Sequence, residues 1–357
     1  MPLVQSDRLR RMVETLMVCA GARDDEAEIV ARHSVAANLA GHDSHGVIQI
    51  PVYVDRIERG HIVPGAAFEI KQESATTTVV DGNWGFGYVV AERAMQLTID
   101  KAKVTNVAAT TIVRQSHIGR VAAYPHMAAR EGMIALMTAD SGRGPKAVAP
   151  FGGREARLGT NPICIAVPAA LESPLIVDMA TSAVAAGKVK LAQAEGVTIP
   201  HGWMLDVDGR ETTDPFSYGK GAVLLPLGGA EGFKGYGLSV MIEILSAILP
   251  GLGFGVEPSG RHNDGCFLAV FNTAAFRDLE TFKQEVADFA KYLKETQPAA
   301  GFDEVFYPGE IELRKERQRV AEGIPVDDET WGKLAALGER FGVADLMGDA
   351  EMGLGHE

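Results

Sequence analysis

The first sixty positions of the chain place apolar residues with the period of an α-helix. In the first segment they recur at Leu9, Met12, Val13, Leu16 and Met17. This spacing, with Ser6 as an N-cap, predicts a helix over residues 6–20. The same pattern predicts a second helix over residues 24–40 and a third over residues 47–59. The chain is therefore expected to begin with a helical unit.

Beyond Pro64 the pattern changes to short apolar runs rich in β-branched residues. Such runs predict strands in TTTVVDGNWGFG, NVAATTIVRQSH, GMIALMTADS, TNPICIAVP, SPLIVDMATS and GCFLAVFN. Helical spacing returns in YVVAERAMQLTIDKAK, in the long apolar run 233–249 and between residues 278 and 341. We expect an α/β fold: residues 76–310 form the mixed α/β domain, and residues 1–75 form a helical part. This part should pack with residues 311–357, because the ends of a domain often lie close together.

Composition narrows the classes of partner. The net charge of −13 argues against nucleic acid or an anionic membrane as the main partner, because phosphates require clustered Lys and Arg. No run approaches 18 uncharged apolar residues, and the N-terminus has no apolar core of a signal peptide. Cys19, Cys164 and Cys266 are far apart and odd in number, which fits a reducing cytoplasm.

Residues 42–45, His-Asp-Ser-His, concentrate proton-handling groups directly after a predicted helix. A polar turn, a metal site and a hydrolase triad are the alternatives. A metal is disfavoured because no second cluster of His, Cys and carboxylate side chains at ligand spacing occurs elsewhere in the sequence. A hydrolase is disfavoured because no GxSxG elbow follows a strand, and adjacent Ser44 and His45 cannot easily hydrogen-bond as nucleophile and base.

Two glycine-rich segments suggest nucleotide binding but depart from the standard motifs. GNWGFGYVV follows a strand and precedes a helix, yet Val90 stands where a dinucleotide fingerprint needs its third glycine. GFKGYGL lacks the Gly-Lys-Ser/Thr ending of a phosphate loop. His117 after a predicted strand, GTNP at 159–162 and DMATS at 178–182 are either ordinary turns or binding groups on a rigid scaffold.

In order along the chain, these segments resemble the type 2 malate/L-lactate dehydrogenase family. The motifs are DSHGV followed by a Tyr, SHIG, GTNP, DMATS followed by Gly-Lys-Val, GWMLDVDGRETTDP, PLGG, KGYGL and YPGE. They span about residues 6–340. The family includes ureidoglycolate and sulfolactate dehydrogenases, diketogulonate reductase and cyclic-imine reductases. The resemblance implies an NAD(P)-binding fold that is not Rossmann, which would explain the missing glycine fingerprint.

The resemblance implies an oxidoreductase that interconverts a small 2-hydroxy acid and its 2-oxo acid with NAD or NADP, as an intertwined homodimer. Histidine suits proton transfer in both directions near neutral pH. His117 matches one family histidine assigned this role and His45 another, with His117 ranked slightly ahead. Ser44 would orient a ring or bind substrate, and Tyr53 would line the same pocket. A cyclic-imine or diketogulonate reductase and a non-catalytic family member remain alternatives.

The resemblance also assigns residues to the cofactor. Those expected near nicotinamide or ribose are His117, Ile118, Ser141, Asp178, Met179 and Ala180. Thr160 and Asn161 would shape the turn beneath the ring. Those expected at the phosphate and adenosine end are Lys234, Pro308, Gly309 and Glu310. No metal is expected.

One position departs from the family pattern. Many members carry Arg four positions after the histidine of DSHG, where it binds the substrate carboxylate, and this chain has Gln49. A neutral amide binds a carboxylate less strongly than a charged, bidentate group. Either Arg120, Arg143 or Lys146 supplies the charge, or the substrate differs from malate and lactate. Lys188 and Lys190, after DMATS, offer no carboxylate for a proton relay, which argues mildly against a cyclic-imine reductase.

Overall fold

The computed structural model describes residues 1–140 and 143–347. Its α-helices are α1 (Ser6–Cys19), α2 (Asp24–Leu39), α3 (Ile50–Glu58), α4 (Gly87–Thr105), α5 (Ala123–Arg130), α6 (Ala186–Glu195), α7 (Phe233–Glu243), α8 (Leu279–Lys294), α9 (Glu310–Glu322) and α10 (Asp328–Arg340). Its strands are β1 (Leu3–Val4), β2 (Glu69–Glu73), β3 (Thr77–Gly85), β4 (Val107–Gln115), β5 (Met133–Ala139), β6 (Ile163–Val167), β7 (Leu175–Met179), β8 (Met204–Leu205), β9 (Glu211–Thr212), β10 (Val223–Leu224), β11 (Cys266–Asn272) and β12 (Ile324–Pro325).

Two of the predicted helices differ in their details. Residues 47–49 form a 3-10 turn and α3 begins only at Ile50. Pro51 has no N–H, so a regular helix from Val47 would lack the bond between these two residues. The apolar run at 233–249 is helical, but α7 passes into a π-helical turn, Ile244–Ile248. This turn carries Ser246, whose hydroxyl hydrogen-bonds to Thr138 on β5 at 2.7 Å.

A seven-stranded sheet with the order β2-β3-β4-β11-β5-β6-β7 forms the centre of the molecule. β3 and β4 pair in parallel, joined by α4, and the other neighbouring strands pair antiparallel. A Rossmann sheet is mostly parallel. The predicted α/β fold with a mixed, non-Rossmann sheet is therefore confirmed.

Both ends of the chain contribute to one apolar core. It contains Leu9 and Val13 from α1, Val30 and Val35 from α2, Ile50 and Val54 from α3, Ile324 and Val326, and Leu334 and Leu337 from α10. β1 also pairs with β12. We propose the division into a unit of both chain ends and a sheet unit, with β2 in the sheet unit because it pairs with β3. A smaller antiparallel sheet, β10-β8-β9, packs with α6 in an inserted segment.

The glycines of GNWGFGYVV have a packing role. Gly87 begins α4 directly against the chain that follows β4. A Cβ at this position would lie 2.3 Å from the carbonyl oxygens of Ser116 and His117. A glycine is therefore required for α4 to approach the segment that carries His117. Within residues 1–140 and 143–347, no helix is long and apolar enough to cross a membrane.

Candidate active site

His117 lies at the end of β4, in the middle of the molecule. Its imidazole Nδ1 is 2.7 Å from the hydroxyl of Tyr53 on α3. The next residue, Ile118, donates its backbone N–H to Asp264 at 3.1 Å. Tyr53 is only 1% exposed, so just its hydroxyl reaches towards the site. Both contacts fix the position of the His117 ring.

The His-Asp-Ser-His segment is a 3-10 turn, Asp43–His45, that brings a second imidazole to the first. The rings of His45 and His117 are stacked with centroids 5.6 Å apart. Tyr88 donates its hydroxyl to the His45 carbonyl at 2.9 Å. Ser44 Oγ lies 3.0 Å from His45 Nδ1, so this adjacent pair does meet, contrary to our expectation. The backbone of a tight 3-10 turn makes the contact possible.

Asp43 stabilises this turn. Its carboxylate accepts hydrogen bonds from Arg319 on α9 at 2.6 and 2.9 Å, and from the side-chain amide of Asn38 at 2.6 Å. Asn38 in turn accepts from the Val47 N–H at 2.9 Å. The clustering of polar groups at 42–45 thus combines a structural aspartate with a candidate catalytic serine and histidine.

Burial keeps both imidazoles neutral. It lowers the pKa of His117 to about 3, with smaller effects from Asp264, which raises it, and from His45, His262 and Arg56, which lower it. Burial also lowers the pKa of His45, against the opposing effect of Asp178. A neutral imidazole is the form that can accept a proton.

His262 and Asp264 complete the cluster and were missed by the sequence analysis. The ring of His262 meets that of His117 edge-on, with centroids 5.8 Å apart. His262 Nε2 lies 2.7 Å from Asp264 Oδ1. Both residues precede β11, which is remote in sequence but pairs with β4. Only this strand pairing brings them to His117, and the sequence contains no local signal for it.

A cavity of about 350 Å³ opens between α2, α5 and α9, and its wall includes Tyr88, whose hydroxyl binds the His45 carbonyl. It is lined by Arg120, Ala122, Ile176, Gly309 and Glu312, among others. The Nε of Arg120 is buried without a hydrogen-bond partner, and it lies 3.9 Å from Asp178. Asp178 accepts from the Ala122 N–H at 2.9 Å. A buried guanidinium group facing a cavity fits the phosphates of a dinucleotide.

Gly309 allows the chain to form one wall of this cavity. Its φ of +92° lies in the left-handed region, and a Cβ there would stand 3.3 Å from the Ile176 nitrogen. Pro308 accepts from the Ile176 N–H at 3.2 Å. The carboxylate of Glu310 is bound by Lys294 and by Arg314, the latter at 2.8 Å. Glu310 therefore anchors the loop, while Gly309 contacts the cavity.

The GTNP turn packs against the DMATS segment. Thr181 donates its N–H to Thr160 at 2.9 Å and its hydroxyl to the Asn161 carbonyl at 2.9 Å. Asn161 is buried with a φ of +37°. Its amide donates to Glu243 at 2.8 Å. The turn below the predicted ring position is thus held by side chains, and Met179 and Ala180 directly precede Thr181 in the DMATS segment.

Two of the three cations considered as replacements for the family arginine are engaged in ion pairs. Lys146 is buried and lies 3.3 Å from both Asp140 and Glu243. Arg143 lies 3.2 Å from Glu257. Arg120 has its nearest carboxylate only at 3.9 Å. The Gln49 amide donates to the Ser44 carbonyl at 2.8 Å, so it lies beside the site.

Lys234 lies apart from these groups in a single chain. It occupies the first turn of α7, is 69% exposed and pairs with Glu231 at 3.3 Å. Ser141 falls outside the described residues. Among the residues predicted for the site, the structure therefore brings together Ser44, His45, Gln49, Tyr53, His117 and Ile118 on one side and Asp178, Pro308 and Gly309 on the other.

A family model described as malate/L-lactate dehydrogenase matches residues 4–335. The chain belongs to this family. Its relatives include malate dehydrogenase of Pyrococcus horikoshii, which is 35% identical and covers 96% of both chains. L-sulfolactate dehydrogenase of Methanothermobacter thermautotrophicus is 34% identical over 93% of this chain and 95% of the relative. Ureidoglycolate dehydrogenase (NAD(+)) of Escherichia coli is 33% identical, with 93% and 94% covered.

Solved structures of the malate/L-lactate dehydrogenase family agree with this assignment. Malate dehydrogenase from Entamoeba histolytica matches with a TM-score of 0.91 at 32% identity, over 96% of this chain and 98% of that one. Δ1-Piperideine-2-carboxylate reductase from Pseudomonas syringae matches with a TM-score of 0.83 at 29% identity, over 94% and 100%. The predicted family and the prediction of a dehydrogenase are confirmed.

Proposed function

We propose that the chain interconverts a small 2-hydroxy acid and its 2-oxo acid, with His117 as the group that accepts or returns the hydroxyl proton. The observation that carries the proposal is the half-buried, neutral His117 ring, which is held by Tyr53 and stacked on His45. Such a ring can take the proton of a secondary alcohol. Ser44 and Gln49, which flank His45, supply polar groups for the substrate.

A chain of hydroxyls sets which nitrogen of His117 is free. The Tyr88 hydroxyl donates a hydrogen bond to the His45 carbonyl, so the Tyr88 oxygen can accept a hydrogen bond from the Tyr53 hydroxyl. Burial raises the pKa of Tyr53 well above 10.0, so this hydroxyl keeps its proton. With its proton directed to Tyr88, the Tyr53 oxygen accepts from Nδ1–H of His117 at 2.7 Å. Nε2 of His117 is then the nitrogen that can accept the substrate proton.

NAD or NADP would lie along the cavity beside Asp178. When bound, the nicotinamide supplies or accepts the hydride. Ile118, Asp178, Met179 and Ala180 would hold the nicotinamide and its ribose, above Thr160 and Asn161. Arg120 would pair with the phosphates, beside Pro308 and Gly309. The unpartnered Nε of Arg120 and its contact with the cavity support this placement.

Two further statements belong to the proposal. The chain works as a homodimer, supported by an exposed apolar band on α7 and the turn after it. Lys234 then faces the partner or solvent, and its role at the phosphate end depends on the dimer. A cytoplasmic location is supported by three cysteines without a disulfide, of which Cys19 is exposed.

The test is a panel of 2-oxo acids, with diketogulonate and the cyclic imine Δ1-piperideine-2-carboxylate included, assayed with NADH and with NADPH. We expect turnover of at least one small 2-oxo acid, and fluorescence titration should show binding of the preferred cofactor. His117→Ala should lower kcat by about 10² to 10⁴ while the cofactor Kd changes little, because acid-base catalysis contributes that factor. A loss below about tenfold would move the role to His45, which His45→Ala tests in parallel.

A further inference from the structure

The loop before β11 places a carboxylate and a third imidazole beside His117, and neither belongs to the motifs that define the family resemblance. Asp264 is 4% exposed, whereas the side chain of His262 is 22% exposed. The Asp264 N–H donates to the carbonyl of Gln115 at 3.2 Å, and the Gln115 amide donates back to the Asp264 carbonyl at 3.1 Å. The carboxylate is thereby fixed to the end of β4, two residues before His117.

Asp264 is ionised although it is buried. Burial raises the pKa of Asp264, but His262, His117 and the Ile118 N–H outweigh it, so the pKa is lowered overall. One carboxylate oxygen is 2.7 Å from His262 Nε2 and the other accepts from Ile118 at 3.1 Å. The site thus contains a fixed negative charge next to the proposed base.

The proposed reaction creates a positive charge on His117, and a buried negative charge beside it can stabilise that charge. When His117 takes the hydroxyl proton it becomes an imidazolium in a partly buried site. An isolated buried cation costs several kcal/mol unless a counter-charge compensates it. Asp264 is the charged group that most favours the protonated form of His117, whereas His45, His262 and Arg56 disfavour it.

We propose that Asp264 is a positioning residue that stabilises the protonated form of His117, and that the charge of His262 controls how much of this effect reaches His117. The inference rests on the proposed function. Asp264 acts through His117 and does not need to touch the substrate. When His262 is neutral, the full carboxylate charge acts on His117. When His262 is an imidazolium, it neutralises Asp264 and adds its own repulsion.

This arrangement makes alcohol oxidation sensitive to pH through His262. Histidine changes charge in the physiological range. The charged and titratable groups that face the cluster are Arg56 from α3, His45 from the 3-10 turn, and His262 and Asp264 from the loop before β11. Within residues 1–140 and 143–347, no three His, Cys, Asp or Glu side chains are placed to hold a metal ion.

The first variant is Asp264→Asn, measured in the oxidation direction with the 2-hydroxy acid that the wild type uses best. Asparagine keeps an oxygen for the Ile118 N–H and removes the charge. A nearby opposite charge shifts a pKa by about 1 to 3 units, so we expect kcat to fall by about 10- to 100-fold at pH 9, where the full carboxylate charge acts on His117. The Kd of the cofactor should stay within about twofold, because no cofactor contact is removed.

The second variant, His262→Asn, should act in the opposite direction. It leaves Asp264 charged and removes the imidazolium that opposes it at low pH. The wild-type kcat should fall as the pH drops from 8 to 6, whereas the variant should lose this limb and exceed the wild type about three- to tenfold at pH 6. At pH 9 the two enzymes should agree within about twofold, because an ordinary histidine is neutral at that pH.

A readout without turnover tests the pair directly. In ¹³C-histidine NMR, the resonance of His262, assigned by its loss in His262→Asn, should move in Asp264→Asn, because Asp264 Oδ1 lies 2.7 Å from His262 Nε2. Matched controls are Asp278→Asn, an exposed carboxylate that accepts from Thr281 N–H at 2.9 Å, and His201→Asn, an exposed imidazole. Neither control should change kcat or its pH profile.

Three results would overturn the inference while the proposed function stands. They are a kcat within threefold of wild type for Asp264→Asn, parallel losses in both variants with an unchanged pH profile, and a His262 resonance that does not move in Asp264→Asn. If the wild type oxidises no 2-hydroxy acid at all, the proposed function fails and this inference fails with it.

Discussion

Gln49 is the residue that separates this chain from the family pattern, and its amide lies beside Ser44. We expect Gln49→Arg to improve kcat/KM for malate or lactate. A charge-assisted bond to the substrate carboxylate contributes about 1.5 to 3 kcal/mol, which is roughly ten- to a hundredfold. Steady-state kinetics of wild type, Gln49→Arg and the uncharged control Gln49→Met would measure it. If the wild type already uses these acids efficiently and the arginine changes nothing, Gln49 does not set specificity.

The buried His117 ring should also make folding stability depend on pH. Its pKa is about 3 in the folded chain and 6.5 in an ordinary histidine, so the unfolded chain binds more protons between these values. The contribution of His117 to the free energy of unfolding is therefore fully present above pH 6.5 and is lost as the pH falls below this value. When the pH is lowered from 7 to 5, the free energy of unfolding measured with urea should fall by about 2 kcal/mol more for the wild type than for His117→Asn. Equal losses in both proteins would contradict the shift.

At the level of elements, a buried ion network joins the GTNP turn to α7. Lys146 lies between Asp140 and Glu243, and Glu243 also holds the amide of Asn161. Burial and the nearby Asp140 raise the pKa of Glu243, and Lys146 and Asn161 oppose this rise. The network supports the positive φ of Asn161 and so the shape of the turn under the proposed nicotinamide position.

Lys146→Met should therefore be strongly destabilising. Removing one partner from a buried charge cluster costs about 3 to 5 kcal/mol, because uncompensated charge remains buried. Urea unfolding at pH 7 would measure the loss. Adding Glu243→Gln to the variant should recover part of it, since only Asp140 then remains charged. Lys283→Met, on the surface of α8, is the control and should change stability by less than about 0.5 kcal/mol. A small effect of Lys146→Met would show that water reaches the network.

Local patterns predicted α1 and α2 to within a residue or two, and motif order predicted that His45 and His117 share a site. Sequence patterns could not predict contacts that depend on the order of the strands in the sheet. β11 lies between β4 and β5, more than a hundred residues away in sequence, and only this placement brings Asp264 to His117. Apolar periodicity shows which residues are buried but not which strand lies next to which. The contact of Arg319 on α9 with Asp43 was also missed, because the sequence does not show which elements lie next to each other in the fold.

For the whole molecule, the proposed dimer makes its own prediction. An apolar band, defined by Met241, Ile244, Ile248, Leu249 and Phe254, lies on α7, its π-helical turn and the following loop, with exposures between 39% and 74%. The first three residues recur at spacings of three and four, so they share a helical face. Contiguous apolar surface of this kind is rare on monomers and marks interfaces. We expect this band to be covered by a second copy of the chain.

Placing a charge in the band should separate the two copies. Burying a carboxylate costs more than the roughly 1.5 to 3 kcal/mol that a buried Met or Ile contributes, so Met241→Glu combined with Ile248→Glu should shift the dimer to monomer at micromolar concentration. Sedimentation equilibrium would measure the mass. The matched control is Val104→Glu, at an 82% exposed position near the end of α4, which should leave the mass unchanged. A wild type that is monomeric at these concentrations would refute the dimer. A double variant that remains dimeric would place the interface on another surface.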